Sequence, residues 1–382
     1  MSRFLFIVPP LHGHLNPTLS VGGELLNRGH KVAWVCNKSF IGELIPPEGE
    51  FIFINANQEE IERIAREEGA KKVNSTEFMF EQIWIPYSRI TVKGISETID
   101  QFKPDVIIHD NYVFSGAICA YRKNIPYATS ITAPPELADK QVMPRISEKI
   151  DRYIIDLQKE FGINEQRKIT DSEKLCLVFS SKEFIGMCDF PDYYKFVGPV
   201  IENRRFQPSF DWDKFNQSVM PKILVSLGTI DLGNRIVFFS KIAESFTGEY
   251  FTVIVVACPE ILDRWPENFI VQDKIPQLDL LPHMDAVICH GGHNTVCEAL
   301  SFSVPVIVAP MAFDQYKVAS LVENSVCGRA IKFKRFTPSE LRNILHEFMT
   351  DEKYKNAAKR IGDSFKNAGG AKRAAQLLEE IK

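Results

Sequence analysis

The sequence predicts an α/β protein built from two tandem, doubly wound, Rossmann-like domains facing a cleft. Three observations carry this. The chain is 382 residues long, more than one ordinary hydrophobic core accommodates. A short apolar run, a turn and an amphipathic segment recur along it. That rhythm breaks near position 200 and then restarts. Hydrophobic content of 45% and charged content of 25% are those of a soluble globular protein. A net charge of −4 argues against a nucleic-acid partner, which selects for a basic excess. The basic patches "ENRRF" (202–206) and "IKFKRF" (331–336) read as solvated surface.

The elements follow in order. "RFLFIVP" (3–9) is a buried strand, and 16–29 a helix capped by Asn16 with Pro17 as its first residue, where a missing N–H does no harm. Strands follow at 31–36 and 51–54, then helical stretches near 57–68 and 75–100. "PDVIIHD" (104–110) is a strand, 111–122 a helix and 126–131 another strand. Strands alternating with helices imply parallel βαβ units. The Pro-, Asn- and charge-rich segment 201–221 reads as a linker between a first domain, 1–200, and a second, 222–367. Strands at 222–227, 251–257, 285–290 and 304–310 then alternate with helices near 233–246, 293–302, 314–325, 337–349 and 351–367. A last helix within 368–382 packs back on the first domain.

None of the eight cysteines stands in a C-x-x-C pair, and several lie inside apolar runs. That fits reduced, buried thiols in a cytoplasmic protein and offers no metal template. The start, "MSRFLFIVPPLHGH", lacks the long apolar core of a secretion signal. No run approaches the ~18 apolar residues of a membrane span, so no integral membrane segment is expected.

Open α/β sheets bind ligands beyond the carboxyl ends of their strands, so polar clusters directly after strands are the candidate site. "HGGHNTVCEALSFSVPVIVAPMAFDQ" (290–315) is the richest. His290 ends a strand, Gly291 and Gly292 make the turn, and a helix begins near Asn294 and Thr295. Unpaired N–H groups at a helix start attract an anion, and His290 adds a side-chain donor. Glu298 lies one turn further on the same face, where a carboxylate can accept from two ribose hydroxyls. Asp314 and Gln315 follow the next strand and suit the hydroxyls of a hexose. Each piece alone also fits an ordinary turn or a solvated helix; the ordered set is far more specific.

The segment from Ile275 to Gln315 resembles the donor-binding signature of nucleotide-sugar-dependent glycosyltransferases of the inverting GT-B type. These include plant secondary-metabolite glucosyltransferases and bacterial macrolide glycosyltransferases, and the two-domain rhythm extends the resemblance over the chain. It implies that His290, Gly292, Asn294 and Thr295 lie at the donor phosphates, Glu298 at the ribose, and Asp314 with Gln315 at the sugar. Ile275 and Gln277 belong to the same donor site. "SLGT" (226–229) matches the family's donor loop, giving Ser226 and Thr229. Plant members carry aromatic residues where this chain has Lys274 and His293, so the usual platform for the base is absent and uridine and thymidine diphosphate both stay open. His283 and His109 read as structural.

"HGHLNP" (12–17), directly after the first strand, resembles the family's opening motif, whose histidine is the catalytic base. Spacing to Asn16-Pro17 makes His14 the match, with His12 the runner-up. A positioned imidazole near neutrality suits removal of a hydroxyl proton. Asp110, at a strand end of the same domain, matches the family's orienting Asp; it could instead cap the following helix. Acceptor-pocket candidates are "FMFEQIWIPY" (78–87), which could equally be buried core, and "TAPPELADKQVMPRI" (132–146).

The resulting expectation is an inverting transferase that moves a hexose from a UDP- or dTDP-sugar to a hydroxyl of an apolar small molecule. It needs no cofactor and no metal, since no Asp-x-Asp pair stands at a strand end. A lipid acceptor at a membrane surface and a non-catalytic nucleotide-sugar-binding protein are the competing readings. A dinucleotide oxidoreductase is excluded by "PPLHGHLNP", which stands where a G-x-G-x-x-G would.

Overall fold

The apolar runs become parallel strands buried on both faces, as strands flanked by helices on either side must be. In the computed structural model, which describes residues 1–67, 76–135, 144–186, 189–201, 208–228 and 235–382, they form two sheets. The first contains β1 (Arg3–Ile7), β2 (Lys31–Cys36), β3 (Glu50–Phe53), β4 (Val106–Asp110), β5 (Tyr127–Ile131), β6 (Cys176–Val178) and β7 (Tyr194–Phe196). Their order is β3-β2-β1-β4-β5-β6-β7, every neighbour parallel. The second contains β8 (Lys222–Ser226), β9 (Thr252–Val256), β10 (Phe269–Gln272), β11 (Ala286–Cys289), β12 (Val306–Val308) and β13 (Gly328–Ala330). Its order is β10-β9-β8-β11-β12-β13, again all parallel. Each order reverses direction once, between β1 and β4 and between β8 and β11. Loops leaving adjacent strands diverge there, and the carboxyl edge is open to a ligand.

The described residues divide into two compact units, one of Met1–Lys182, Met187–Arg205 and Ala368–Lys382, the other of Glu183–Gly186 and Phe206–Asn367. In the first unit Leu5, Ile7 and Ile107 pack on one sheet face, and Phe4, Phe6, Val106 and Ile108 on the other. The helix Gly370–Glu380 completes that second face. Ala371, Ala374, Leu377 and Leu378 are buried with Leu15 and Leu25. Glu379 accepts from Arg28 at 2.8 Å and pairs with His30 at 2.7 Å. The chain enters this helix through Gly369 and Gly370, at φ of 96° and 61°, a left-handed turn that any side chain would strain.

Several expectations need correction. The first helix is His12–Asn27, not 16–29; Leu11, in extended conformation, precedes it, and Pro17 lies inside it. Asn16 is therefore no cap. The entry is fixed earlier, because Pro9 and Pro10 end the strand and the Leu11 N–H turns back to the Pro9 carbonyl at 2.7 Å. Segment 201–221 is not a bare linker over its described part. Asp211 caps the helix Trp212–Gln217 by accepting from the Lys214 N–H, and Phe215 is buried in the core of the second unit. Residues 202–206, read as solvated surface, lie outside the described residues. The stretch 78–87 contains a π-helical turn, Phe80–Trp84. Phe80, Ile83, Trp84 and Tyr87 belong to the core, which resolves the alternative between pocket and core toward core. The helix Pro144–Glu160 and strands β6, β7, β10 and β13 were not anticipated.

Candidate active site

His14 sits in the first turn of the helix that follows β1, and Asp110 is the last residue of β4, its neighbour at the switch point. His14 Nδ1 lies 2.8 Å from Asp110 Oδ2, and the Asp110 side chain is fully buried. A buried carboxylate is costly unless its oxygens are satisfied. Here Oδ1 accepts the Tyr112 N–H at 2.9 Å and Oδ2 takes the imidazole. Asp110 does not cap the next helix, which starts at Phe114 after Val113. An ionised carboxylate accepts only, so beside ionised Asp110 the shared proton belongs on Nδ1, which leaves the lone pair on Nε2. That is the tautomer a general base requires.

His12 is exposed and stacks on Phe40, ring centroids 5.3 Å apart. His109 points to the other side of β4, buried and bonded to the Asp110 carbonyl and to Thr129. Burial lowers its basicity, and the hydrogen bond to the Asp110 backbone opposes that only in part. Thr132, the first residue of the acceptor candidate 132–146, joins the pair, a role the sequence reading did not give it. The Thr132 hydroxyl, just past β5, lies 2.8 Å from the same His14 nitrogen. Its only signal in the sequence is a polar residue directly after a strand. Tyr112 flanks the imidazole at 5.3 Å and stacks on Trp84 at 5.0 Å, so an aromatic layer runs from the core up to His14. Residues 136–143 of the second acceptor candidate lie outside the described residues.

In the second unit, His290 follows β11 and the helix His293–Ser301 begins after Gly292. Asn294 and Thr295 are in its first turn, where backbone N–H groups have no intrahelical partner. His290 is wedged between glycines. A Cβ on Gly228 would come within 2.6 Å of the ring, and one on Gly292 within 2.8 Å. His290 Nδ1 is buried with no hydrogen-bond partner, a polar atom that a ligand would satisfy. Ser226 ends β8, in register with Cys289 of β11; Thr229 lies outside the described residues.

Glu298 is not the solvated helix residue of the ordinary alternative. It is buried, and the Gln277 amide donates to it at 2.6 Å. This unites two of the expected donor residues, with Ile275 buried two positions earlier. Asp314 precedes the helix Gln315–Asn324 without capping it, and Phe313 before it is held at a φ of 55°, a strained conformation for a bulky residue. Gln315 is partly committed to its own loop. Its side-chain oxygen accepts from the Met311 and Ala312 N–H groups at 2.8 and 3.0 Å, so it builds the loop and has only its amide hydrogens to offer a ligand. His293 is buried against Phe184 and Cys297, in the core and not in place of a base platform. His283 is exposed, edge-on to Phe215.

Burial pushes the His290 imidazole down to about 4; a hydrogen bond that the ring donates to the Ser226 backbone opposes this and the Arg235 cation adds to it. The unfolded chain, with an ordinary imidazole near 6.5, takes up its proton first as pH falls. Stability should therefore be unaffected above pH 6.5 and lost between 6.5 and 4, by about 3 kcal/mol for this group. Denaturant titrations at pH 7 and 4.5 should show a smaller acid loss in His290→Asn than in the parent. An equal loss in both would mean that His290 is not buried neutral.

Two parallel sheets, each reversed at its middle and each carrying polar groups on the carboxyl edge of that reversal, make the GT-B architecture of glycosyltransferases. Residues 223–367 match the family described as UDP-glucoronosyl and UDP-glucosyl transferase. An uncharacterized UDP-glucosyltransferase, YojK of Bacillus subtilis, is 28% identical, over 100% of this chain and 98% of that one. Demethyllactenocin mycarosyltransferase of Streptomyces fradiae is 25% identical, over 100% and 87%. Among solved structures, the glycosyltransferase SsfS6 of Streptomyces sp. SF2575, complexed with thymidine diphosphate, superposes with a TM-score of 0.74 at 19% identity, covering 100% of both chains. The match lies in the second unit, and along its whole length the chain is similar to nucleotide-sugar-dependent glycosyltransferases.

Among the described residues no helix is long and apolar enough to cross a membrane.

Proposed function

We propose that this glycosyltransferase is an inverting hexosyltransferase acting on a hydroxyl of an apolar natural product, with a nucleoside diphosphate hexose as donor. The observation that carries it is the His14 imidazole held 2.8 Å from the fully buried Asp110 carboxylate. As the acceptor oxygen bonds to the anomeric carbon, its proton passes to His14 Nε2 and the bond from that carbon to the diphosphate breaks. One displacement turns an α-linked donor into a β-glycoside, and Asp110 holds the imidazolium that forms. Ser226, Thr229, His290, Gly292, Asn294 and Thr295 hold the diphosphate. Glu298, with Gln277 and Ile275 beside it, takes the ribose, and Asp314 with the Gln315 amide takes the sugar. The first-turn N–H groups supply positive potential for the leaving diphosphate, so the reaction needs no metal. The Tyr112–Trp84 layer beside His14 supports an apolar acceptor. The natural-product substrate named for the mycarosyltransferase, and the thymidine diphosphate held by SsfS6, support the acceptor class and a thymidine as well as a uridine donor.

Product analysis with UDP- and dTDP-hexoses tests the reading: a β-linked product is expected, and an α-linked product overturns it. His290→Ala and Glu298→Ala should each weaken nucleoside diphosphate binding by roughly 10- to 100-fold, the value of a hydrogen bond to a charged group. Asp314→Ala should slow turnover and leave that affinity intact. Parent-like binding in both of the first two variants would refute the donor assignment.

A further inference from the structure

We infer that Thr132 is a positioning residue for the base, holding the His14 proton jointly with Asp110; the inference rests on the His14 reading above. The imidazole is reached by three segments of the sheet's carboxyl edge: its own turn after β1, the end of β4 and the residue after β5. Asp110 Oδ2 and Thr132 Oγ1 both lie 2.8 Å from Nδ1, and Thr132 is buried. One N–H cannot satisfy two oxygens on separate lines, so it lies between them as a three-centre bond. Two acceptors on one nitrogen fix the ring against rotation about its own axis, which a single partner does not. They also oppose the other tautomer, since moving the proton to Nε2 would leave the Nδ1 lone pair facing the carboxylate.

The effect grows during the reaction. When Nε2 takes the acceptor proton, positive charge spreads to Nδ1–H. The carboxylate then holds it by charge and the threonine oxygen by its dipole, so Thr132 favours the protonated ring over the neutral one. Removing the hydroxyl should lower the basicity of His14 and loosen its aim. Donor contacts, which belong to the other unit, should be unchanged.

Thr132→Val keeps the shape and deletes the oxygen. It should reduce kcat about tenfold, as expected for loss of a hydrogen bond to a charged group, with the KM for donor unchanged. The acidic limb of the kcat/KM profile should move to lower pH, and Thr132→Ser should restore both. A merely structural threonine would move neither the limb nor the serine variant relative to valine. Nitrogen-15 NMR of His14 in the substrate-free parent gives a reading that needs no variant. A proton on Nδ1 with Nε2 bare is expected; a proton on Nε2, which would make the Thr132 hydroxyl the donor to Nδ1, overturns the inference. So does Thr132→Val with parental kcat and pH limb. His14→Ala, run in parallel, separates the two failures: if it is fast, the base reading falls; if it is slow while Thr132→Val is parental, only the role of Thr132 falls.

Discussion

His14→Ala should slow transfer to an alkyl alcohol by roughly 100- to 10,000-fold, the usual contribution of a positioned general base, with little change in donor affinity. The imidazole is the group whose lone pair is prepared, by a fully buried carboxylate 2.8 Å away, to take the acceptor proton. Alanine leaves the donor residues untouched, because these lie in the other unit. Acceptor acidity gives an independent check. A phenol or thiol ionises far more readily than an alkyl alcohol, so the variant should keep more of its activity on acidic acceptors. Steady-state rates on a matched phenol and alcohol decide it. Parental speed on the alcohol, with His12→Ala dead, would mean that the exposed histidine stacked on Phe40 is the base.

Asp110→Asn should cost roughly 1,000- to 10,000-fold in kcat with almost no change in shape. Asparagine can still accept the Tyr112 N–H that Oδ1 accepts now. Its other arm is an NH₂ group, which must donate to His14 Nδ1. The ring is then driven to carry its proton on Nε2, the nitrogen that has to be bare. The variant should bind donor normally, and its pH profile should shift because no anion stabilises the imidazolium. A variant that keeps more than a tenth of the parental kcat would remove Asp110 from the mechanism.

The sheet centres were legible, while at the edges only β3 was, for a physical reason. β1, β2, β4, β8, β9 and β11 are flanked on both sides by strands and on both faces by helices, so their residues form unbroken apolar runs. β7, β10 and β13 lie at or beside an edge. They are short, and "YKF" and "GRA" carry charges that face solvent and erase the pattern. The polar groups after central strands, His14, Asp110, His290 and Asp314, could be found because they follow runs that were themselves visible. What pairing does to a side chain was not visible. Nothing in "MAFDQ" says that the Gln315 oxygen is consumed by its own loop, nor does the helical spacing of Glu298 reveal that Gln277 meets it. Thr132 was hidden in the same way, since its partner stands 118 positions earlier.

The closing helix Gly370–Glu380 has a consequence for how the protein is made. The face of the first sheet that holds Leu15 and Leu25 is covered by residues translated after the whole second unit. While the ribosome is still reading that unit, the first one exposes an apolar groove, with Arg28 and His30 waiting for Glu379. The first unit thus finishes folding last, although it is synthesised first. A chain cut anywhere ahead of Ala368 yields an unfinished amino-terminal half that is prone to stick to its neighbours.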